Sequence, residues 1–362
     1  MTGLEKQMQA HDTLPWADRW VRAAGAGRRL QYSLLAVLLA FGVAAFFIML
    51  SGKNPLLAYR VMARGAFGSV DAISFALNKS APYILAGVGV ALCFRARIIN
   101  IGGEGQIAVG GICTTWAALH CGAAPGPLPI IISLAAGALG GALWSGIAAL
   151  LRIWRGVNEV IATLMLNFVG LLMVGEVLNG PMGEVGAGFP QSPVVPDSAF
   201  LPIIWPGSDL HMGILLALFL CAVCAVLLWR TPFGFGLRLI GASQPAARYA
   251  GVSFARSMLL VMLLAGALAG SAGGVEVLGV QYRLIDGFSV GFGFKAVAVA
   301  LLGRLDPLAV VPAGLFFGFV EAGALAMQRE IGVPSSLVDV IQGLAMVFVL
   351  CSIGLDKRRQ RV

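Results

Sequence analysis

Apolar stretches of about 20 residues recur along the whole chain, each long enough to cross roughly 30 Å of hydrocarbon as a helix. Between them the 362 residues supply little polarity: 59% are hydrophobic, 12% are charged, and the mean hydropathy is +0.89. So few charges do not cover a water-facing surface on a chain of this length. The bilayer is the solvent this sequence is written for, and the expected fold class is an all-α polytopic membrane protein.

The apolar segments fall at 32–51, 75–94, 104–121, 128–151, 159–179, 212–229, 257–280, 288–303, 308–327 and 337–354. They predict about ten transmembrane helices and a domain order of N-terminal segment 1–31, membrane domain 32–354 and basic tail 355–362. With the first segment placed in the cytoplasm, 18 of the 25 Lys and Arg fall on that side. This positive-inside bias supports cytoplasmic N and C termini and an even number of spans. The loop 180–211 has no Lys or Arg but carries Glu184, Asp197, Asp209 and several prolines, which places it outside. No small-residue cleavage pattern follows the first apolar run, so it is expected to be an uncleaved anchor. Trp144, Trp154, Trp205 and Trp229 lie near expected span ends, as interfacial anchors do.

Two segments interrupt the straight helices. Residues 98–106 place three glycines and three strongly polar side chains between apolar runs, and 283–295 bring Gly287, Gly291 and Gly293. Each reads as broken or re-entrant backbone, which membrane depth tolerates only where protein or a water-lined cavity satisfies the peptide groups. The breaks occupy corresponding places in two four-span groups, the pattern of inverted repeats around a central pathway.

The net charge of +8 sits in short connectors and not on one amphipathic face, so nucleic acid is not an expected partner. All six cysteines, Cys93, Cys113, Cys121, Cys221, Cys224 and Cys351, lie in or beside apolar stretches and read as small buried residues. Cys113, His120 and Cys121 share helical spacing but have no fourth ligand nearby, so no metal is expected. There is no Gly-x-x-x-x-Gly-Lys-[Ser/Thr] loop, His-Glu-x-x-His or Gly-x-Ser-x-Gly, so neither nucleotide hydrolysis nor hydrolytic chemistry is expected in this chain.

Polar residues inside the spans are the candidates for function. Asn100, Gly103, Glu104, Gln106, Asn158, Glu159, Thr163 and Asn167 sit at or within span ends. An acidic side chain at mid-bilayer costs on the order of 2.5 to 3.5 kcal/mol, so these groups are expected to face the bundle interior. There they serve either as a translocation path and gate, hydrogen-bonding a solute, or as interhelical glue. Asn158 and Glu159, beside Arg152 and Arg155, fit glue or gating near the inner face. Glu176, Glu276 and Glu321 are further membrane acids, and Lys295 is expected to pair with Asp286 across the second break.

The longest internal cytoplasmic loop, 230–256, carries helix signals. Ser243 suits an N-cap, Pro245 a first turn, Ala246, Ala247 and Ala250 the body, and Gly251 a stop. A two-turn helix there presents Arg248 and Tyr249 to a cytosolic partner; the alternative is a basic connector against lipid phosphates.

The segment Gly241 to Gly251 resembles the coupling-helix region of ABC permeases in the branched-chain amino acid, ribose and nucleoside group. Asn100-Ile-Gly-Gly-Glu-Gly-Gln106, the run Asn158-Glu-Val-Ile-Ala-Thr-Leu-Met-Leu-Asn167, and Ala76-Leu-Asn-Lys-Ser-Ala-Pro82 resemble its nucleoside and "simple sugar" branch. The resemblance spans about residues 32 to 354 and leaves the polar N-terminal segment out. It implies a type II ABC importer-like permease in the bacterial inner membrane, moving a small polar solute such as a nucleoside or purine, or a ribose-like sugar. It also implies cytosolic ABC ATPase subunits that bind ATP and Mg, a second identical or homologous permease, and an extracytoplasmic binding protein, with no cofactor in this chain. An ion-coupled secondary transporter using Glu104 or Glu321 is the competing reading, and a membrane scaffold is disfavoured by glycine-broken segments with buried acids.

Overall fold

The structure, a computed structural model, describes residues 38–347 except positions 40, 290, 335, 338, 341, 345 and 346. The segment 1–31, the start of the first expected span, most of the span 337–354 and the tail 355–362 lie outside the described residues. The chain forms two units, one of residues 1–55 and 336–362, the other Leu56–Ser335. In the first, helix α1 (Phe41–Leu50) ends in a turn where Ser51 Oγ donates to the Ile48 carbonyl at 2.7 Å.

The second unit holds the remaining helices. In order these are α2 (Pro55–Phe67), α3 (Val70–Arg95), α4 (Gly103–Cys121), α5 (Leu128–Arg155), α6 (Glu159–Leu178), α7 (Gly213–Arg230) and α8 (Pro232–Ala242). They continue with α9 (Gln244–Tyr249), α10 (Phe254–Glu276), α11 (Phe292–Leu302) and α12 (Pro307–Ile331). Capping follows the sequence closely: Ser69, Asn158, Thr231, Ser243, Ser253 and Asp306 each accept a backbone N–H from the helix that follows.

Among the described residues, six helices are long and apolar enough to cross a membrane: α3, α5, α6, α7, α10 with its π turn Val277–Gln281, and α12. Counting the interrupted pair α1 and α2 as one span makes seven among the described residues, and most of the expected span 337–354 lies outside them. Helix α4 has 19 residues, but Glu104, Gln106, Thr114, Thr115 and four glycines dilute its apolarity. Helix α11 has 11 residues and reaches about 16 Å, half a hydrocarbon core. The apolar run 288–303 is thus a half-span preceded by irregular backbone.

Helices α3 and α10 form the centre, with 89% and 72% of their spanning windows buried, against 28% for α6. Helix α3 packs on α10, α11 and α12, while α10 packs on α3, α4 and α5. Small residues set these crossings. Gly137 and Gly141 of α5 face Gly266 and Gly270 of α10 so closely that an added Cβ at any of them meets the other helix. This is the small-xxx-small device of membrane helices, where close backbone approach replaces the hydrophobic drive that lipid does not provide.

The stretch 230–256 is less a loop than expected. Beyond the anticipated short helix, residues 232–242 form α8, started by the Thr231 cap and Pro232 in its first turn. Helix α8 is seated on the core: Leu237 and Ile240 are buried, and a Cβ at Gly241 would strike the Arg95 carbonyl at the end of α3.

Candidate functional site

The two breaks are 96–102, between α3 and α4, and 282–291, between the π turn of α10 and α11. Glu104 and Gln106 therefore lie in the first turns of α4, and Lys295 lies within α11. Arg97 (φ 56°) and Tyr282 (φ 56°) start the two irregular stretches in the left-handed region.

Peptide groups of the first break are satisfied by side chains the sequence had marked. Asn100 Oδ1 accepts Gly102 N–H at 2.9 Å and Gln106 Nε2 at 3.1 Å. From α6, Asn167 Nδ2 donates to the Ile101 carbonyl at 2.8 Å while its Oδ1 accepts Gly105 N–H at 2.8 Å. Thr163 Oγ1 accepts Ile101 N–H at 3.4 Å. The second break is covered by the α6–α7 connection: Ser192 N–H donates to the Leu284 carbonyl at 2.8 Å, and Ser192 Oγ accepts Leu284 N–H at 3.0 Å. Val195 N–H reaches the Tyr282 carbonyl at 2.9 Å. Irregular backbone is thus enclosed by protein, as its depth requires.

The breaks meet. Gly103 and Gly293, in the first turns of α4 and α11, touch backbone to backbone, and a Cβ on Gly293 would strike Glu104 N and Gly103 C. The Glu104 carboxylate spans this contact, with Oε1 accepting Gly291 N–H at 2.8 Å and Oε2 accepting Gly293 N–H at 2.8 Å and Phe294 N–H at 3.3 Å. Asn100, Gly103, Glu104, Gln106, Thr163 and Asn167 therefore form one buried cluster. Asn158 and Glu159 lie apart from Asn167, about 14 Å along α6. Asn158 Oδ1 caps α6 by accepting Val160 N–H at 2.9 Å, and Glu159 pairs with Arg152 at 3.3 Å.

Two further ion pairs lie among the helices. Lys295 Nζ bonds Glu321 Oε2 at 2.9 Å, so the expected partner Asp286 is replaced by an acid on the next helix. Lys79 Nζ of α3 lies 2.6 Å from Glu276 Oε1 of α10, with side chains 10% and 1% exposed. Sequence reasoning quoted Lys79 in a motif and Glu276 as a stray acid without joining them. A lysine nine residues into a span demands a counter-charge, and that was the available signal.

At the other candidate region, α9 follows the Ser243 cap, whose Oγ accepts Ala246 N–H at 3.4 Å, and the chain leaves it through Gly251 at φ +77°. Ala247 is buried, Arg248 is exposed, and Tyr249 is 94% exposed beside a concavity of about 960 Å³ that also reaches Pro245, Val252 and Phe254. The guanidinium groups of Arg95, at 4.9 Å, and Arg238, at 4.8 Å, both lie over the Trp229 ring, whose Nε1 donates to Asp306 Oδ2 at 3.2 Å.

A bundle of membrane-length helices with enclosed backbone breaks and a helical knob defines a polytopic transport protein. Residues 72–350 match the family model described as branched-chain amino acid transport system / permease component, and the chain belongs to that family. It is 36% identical over 329 residues to a glucose ABC transporter permease protein of Haloferax volcanii, covering 88% of this chain and 86% of that one. A guanosine ABC transporter permease protein of Bacillus subtilis is 35% identical over 331 residues, covering 89% and 93%. A nucleoside ABC transporter permease protein of Lactococcus lactis subsp. cremoris is 29% identical over 331 residues, covering 89% and 91%. The chain is accordingly a multi-pass, non-catalytic membrane subunit of an ABC importer for small solutes, and ATP is handled by a partner ATPase.

Proposed function

We propose that this permease carries nucleosides or purine-like solutes inward, driven by cytosolic ATPase subunits that dock on α9. The observation that carries the docking assignment is the exposed Arg248–Tyr249 pair on a capped helix whose buried Ala247 ties it down. A displacement of α9 reaches the core through α8, because Gly241 rests on the end of α3 and the Arg238, Trp229 and Arg95 contacts join the same elements. ATP binding biases the membrane equilibrium only through such differential contacts. In this reading Gly241, Pro245, Ala246, Ala247, Arg248, Tyr249, Ala250 and Gly251 form the coupling region. The cluster at the breaks, with Asn158 and Glu159 at the base of α6, forms the gate of the path.

An inverted-repeat plan is supported by the exchange of partners: α3 packs on α11 and α12 as α10 packs on α4 and α5, and α4 meets α11. A second permease, an extracytoplasmic binding protein and cytoplasmic termini complete the assembly. Two relatives named for guanosine and nucleosides favour the nucleoside reading, and one named for glucose supports a simple sugar as the alternative.

Arg248→Glu tests the docking assignment in proteoliposomes containing the partners. ATP-driven uptake should vanish and the ATPase should no longer co-purify, while membrane insertion persists. Normal uptake would remove the assignment. A binding screen of the partner binding protein with guanosine, adenosine, ribose and glucose decides the solute class.

A further inference from the structure

We infer that Glu104 is a positioning residue, a clasp that makes the two helix breaks one rigid unit, and that it is not a ligand for the transported solute. The inference deepens the permease reading above and rests on it for its functional arm.

Three observations converge on the clasp. First, the carboxylate sits on α4 but takes all three of its backbone hydrogen bonds from the start of α11. A carboxylate offers about four acceptor positions, so one remains for anything else. Second, Gly103 and Gly293 bring the two helix starts into backbone contact beside it, leaving no room for a solute between them. Third, charge is matched locally. A helix N-terminus carries about +0.5 of an elementary charge, so two converging ones call for roughly one negative charge within the first turns. Glu104 supplies it, and Lys295, one turn into α11 and bonded to Glu321, adds its positive charge nearby.

Removing the charge without changing the shape is informative. An amide at position 104 has one acceptor oxygen and presents an N–H₂ where Gly291 or Gly293 already presents an N–H, so a donor faces a donor. The remaining bonds also lose their charge assistance, which roughly halves their strength. The start of α11 should then loosen from α4 even though no volume is lost.

The test uses the full chain in lipid nanodiscs, with no solute present, and follows amide hydrogen exchange of the peptide covering 287–296. Glu104→Gln should speed exchange at Gly291, Gly293 and Phe294 by at least tenfold; wild-type protection in this variant would overturn the clasp. If Glu104→Gln does not assemble, Glu104→Asp keeps the charge but shortens the reach. The clasp then requires faster exchange there as well, and unchanged protection overturns it. With ATPase and binding protein added, Glu104→Gln should cut uptake of every tested solute by more than tenfold and to the same degree. Loss confined to one solute would reassign Glu104 to solute contact. A wild type without ATP-driven uptake would refute the permease reading and leave the exchange result to judge the clasp.

Discussion

Replacing Lys79 by methionine keeps most of the side-chain volume and removes one charge from the interface of the two central helices. At 2.6 Å the Lys79–Glu276 attraction amounts to about 6 kcal/mol for an effective dielectric of about 20. Most of that offsets the cost of taking both ions out of water, so the intact pair adds little net stability. The single variant is different, because it leaves the desolvation cost of Glu276 with nothing to balance it. Glu276 would keep the 3.3 Å bond from Gln281 Nε2, while its Oε2 has no hydrogen-bond partner among the described residues. The rings of Phe75 and Phe292, 5.7 and 5.5 Å from Lys79 Nζ, would then border a bare carboxylate. Removal of one member of a buried pair costs about 3 to 5 kcal/mol, whereas replacing both is often neutral.

The expected ranking is therefore Lys79→Met well below wild type, with Lys79→Met/Glu276→Gln restored to within about 1.5 kcal/mol of it, and a coupling energy of about 2 kcal/mol or more. Reversible unfolding in mixed micelles titrated with sodium dodecyl sulfate measures all three. Additive effects, or a double variant no better than the single, would show that the two charges are solvated separately and refute the reasoning.

Three other outcomes follow from named contacts. Gly293→Ala should abolish assembly or uptake while Gly103→Ala is milder, since a Cβ at 293 overlaps Glu104 and Gly103 backbone whereas one at 103 stays 3.1 Å from Gly293 Cα; equal severity in an uptake assay contradicts the head-to-head contact. His211, in the α6–α7 connection, has its pKa pushed down to about 4 by burial and, secondarily, by the charge of Lys79. The unfolded imidazole protonates near 6.5, so stability is full above that pH and falls as pH drops from 6.5 to 4, by roughly 3 kcal/mol in all. Thermal shifts should show this slope in wild type and lose it in His211→Gln. In a background without native cysteines, Gly87→Cys/Val299→Cys should form a disulfide, because a Cβ at 87 would sit 3.4 Å from Val299 Cβ. Uptake should stay within twofold of the reduced form if α3 and α11 move together, and loss on oxidation would show that they slide.

Much of this was legible because membrane chains advertise their solvent. Long apolar runs located α3, α5, α6, α7, α10 and α12, and the Ser243, Pro245 and Gly251 signals located α9. The break at 98–106 was visible as glycine and polar residues in an apolar context; Asn100 and Asn167 proved to satisfy that same backbone, and Glu104 the backbone at the start of α11. Hydropathy did not reveal that 288–303 is half a span, because length alone does not separate a short helix from a helix with an irregular lead-in. The charge pairing of Lys79 with Glu276 and of Lys295 with Glu321 depends on which helices touch, and a single sequence does not display that. Helix α8 was missed because 230–256 was read as a loop carrying one short helix, although Thr231 and Pro232 offer the same cap and first-turn signals that Ser243 and Pro245 gave for α9.

The glycines constrain where motion is possible. Close backbone contacts join α10 to α5 through Gly137, Gly141, Gly266 and Gly270, and α3 to α12 through Gly314 and Gly318, which rest on Ile84 and Ser80. Helix α6 is bound to α4 in the same way, with a Cβ at Gly170 falling 2.8 Å from Gly105 Cα. Surfaces packed this tightly do not slide by small increments, since each step would drive backbone into backbone. Add the Glu104 clasp, and α3, α4, α5, α6, α10, α11 and α12 become one mechanical body that includes both breaks. If this body is half of a transport path, access cannot alternate by helices gliding within it. The change has to come from the body turning as a whole against a partner, and under the docking proposed above the force would reach it through α8, at Gly241 and the Arg238, Trp229 and Arg95 contacts.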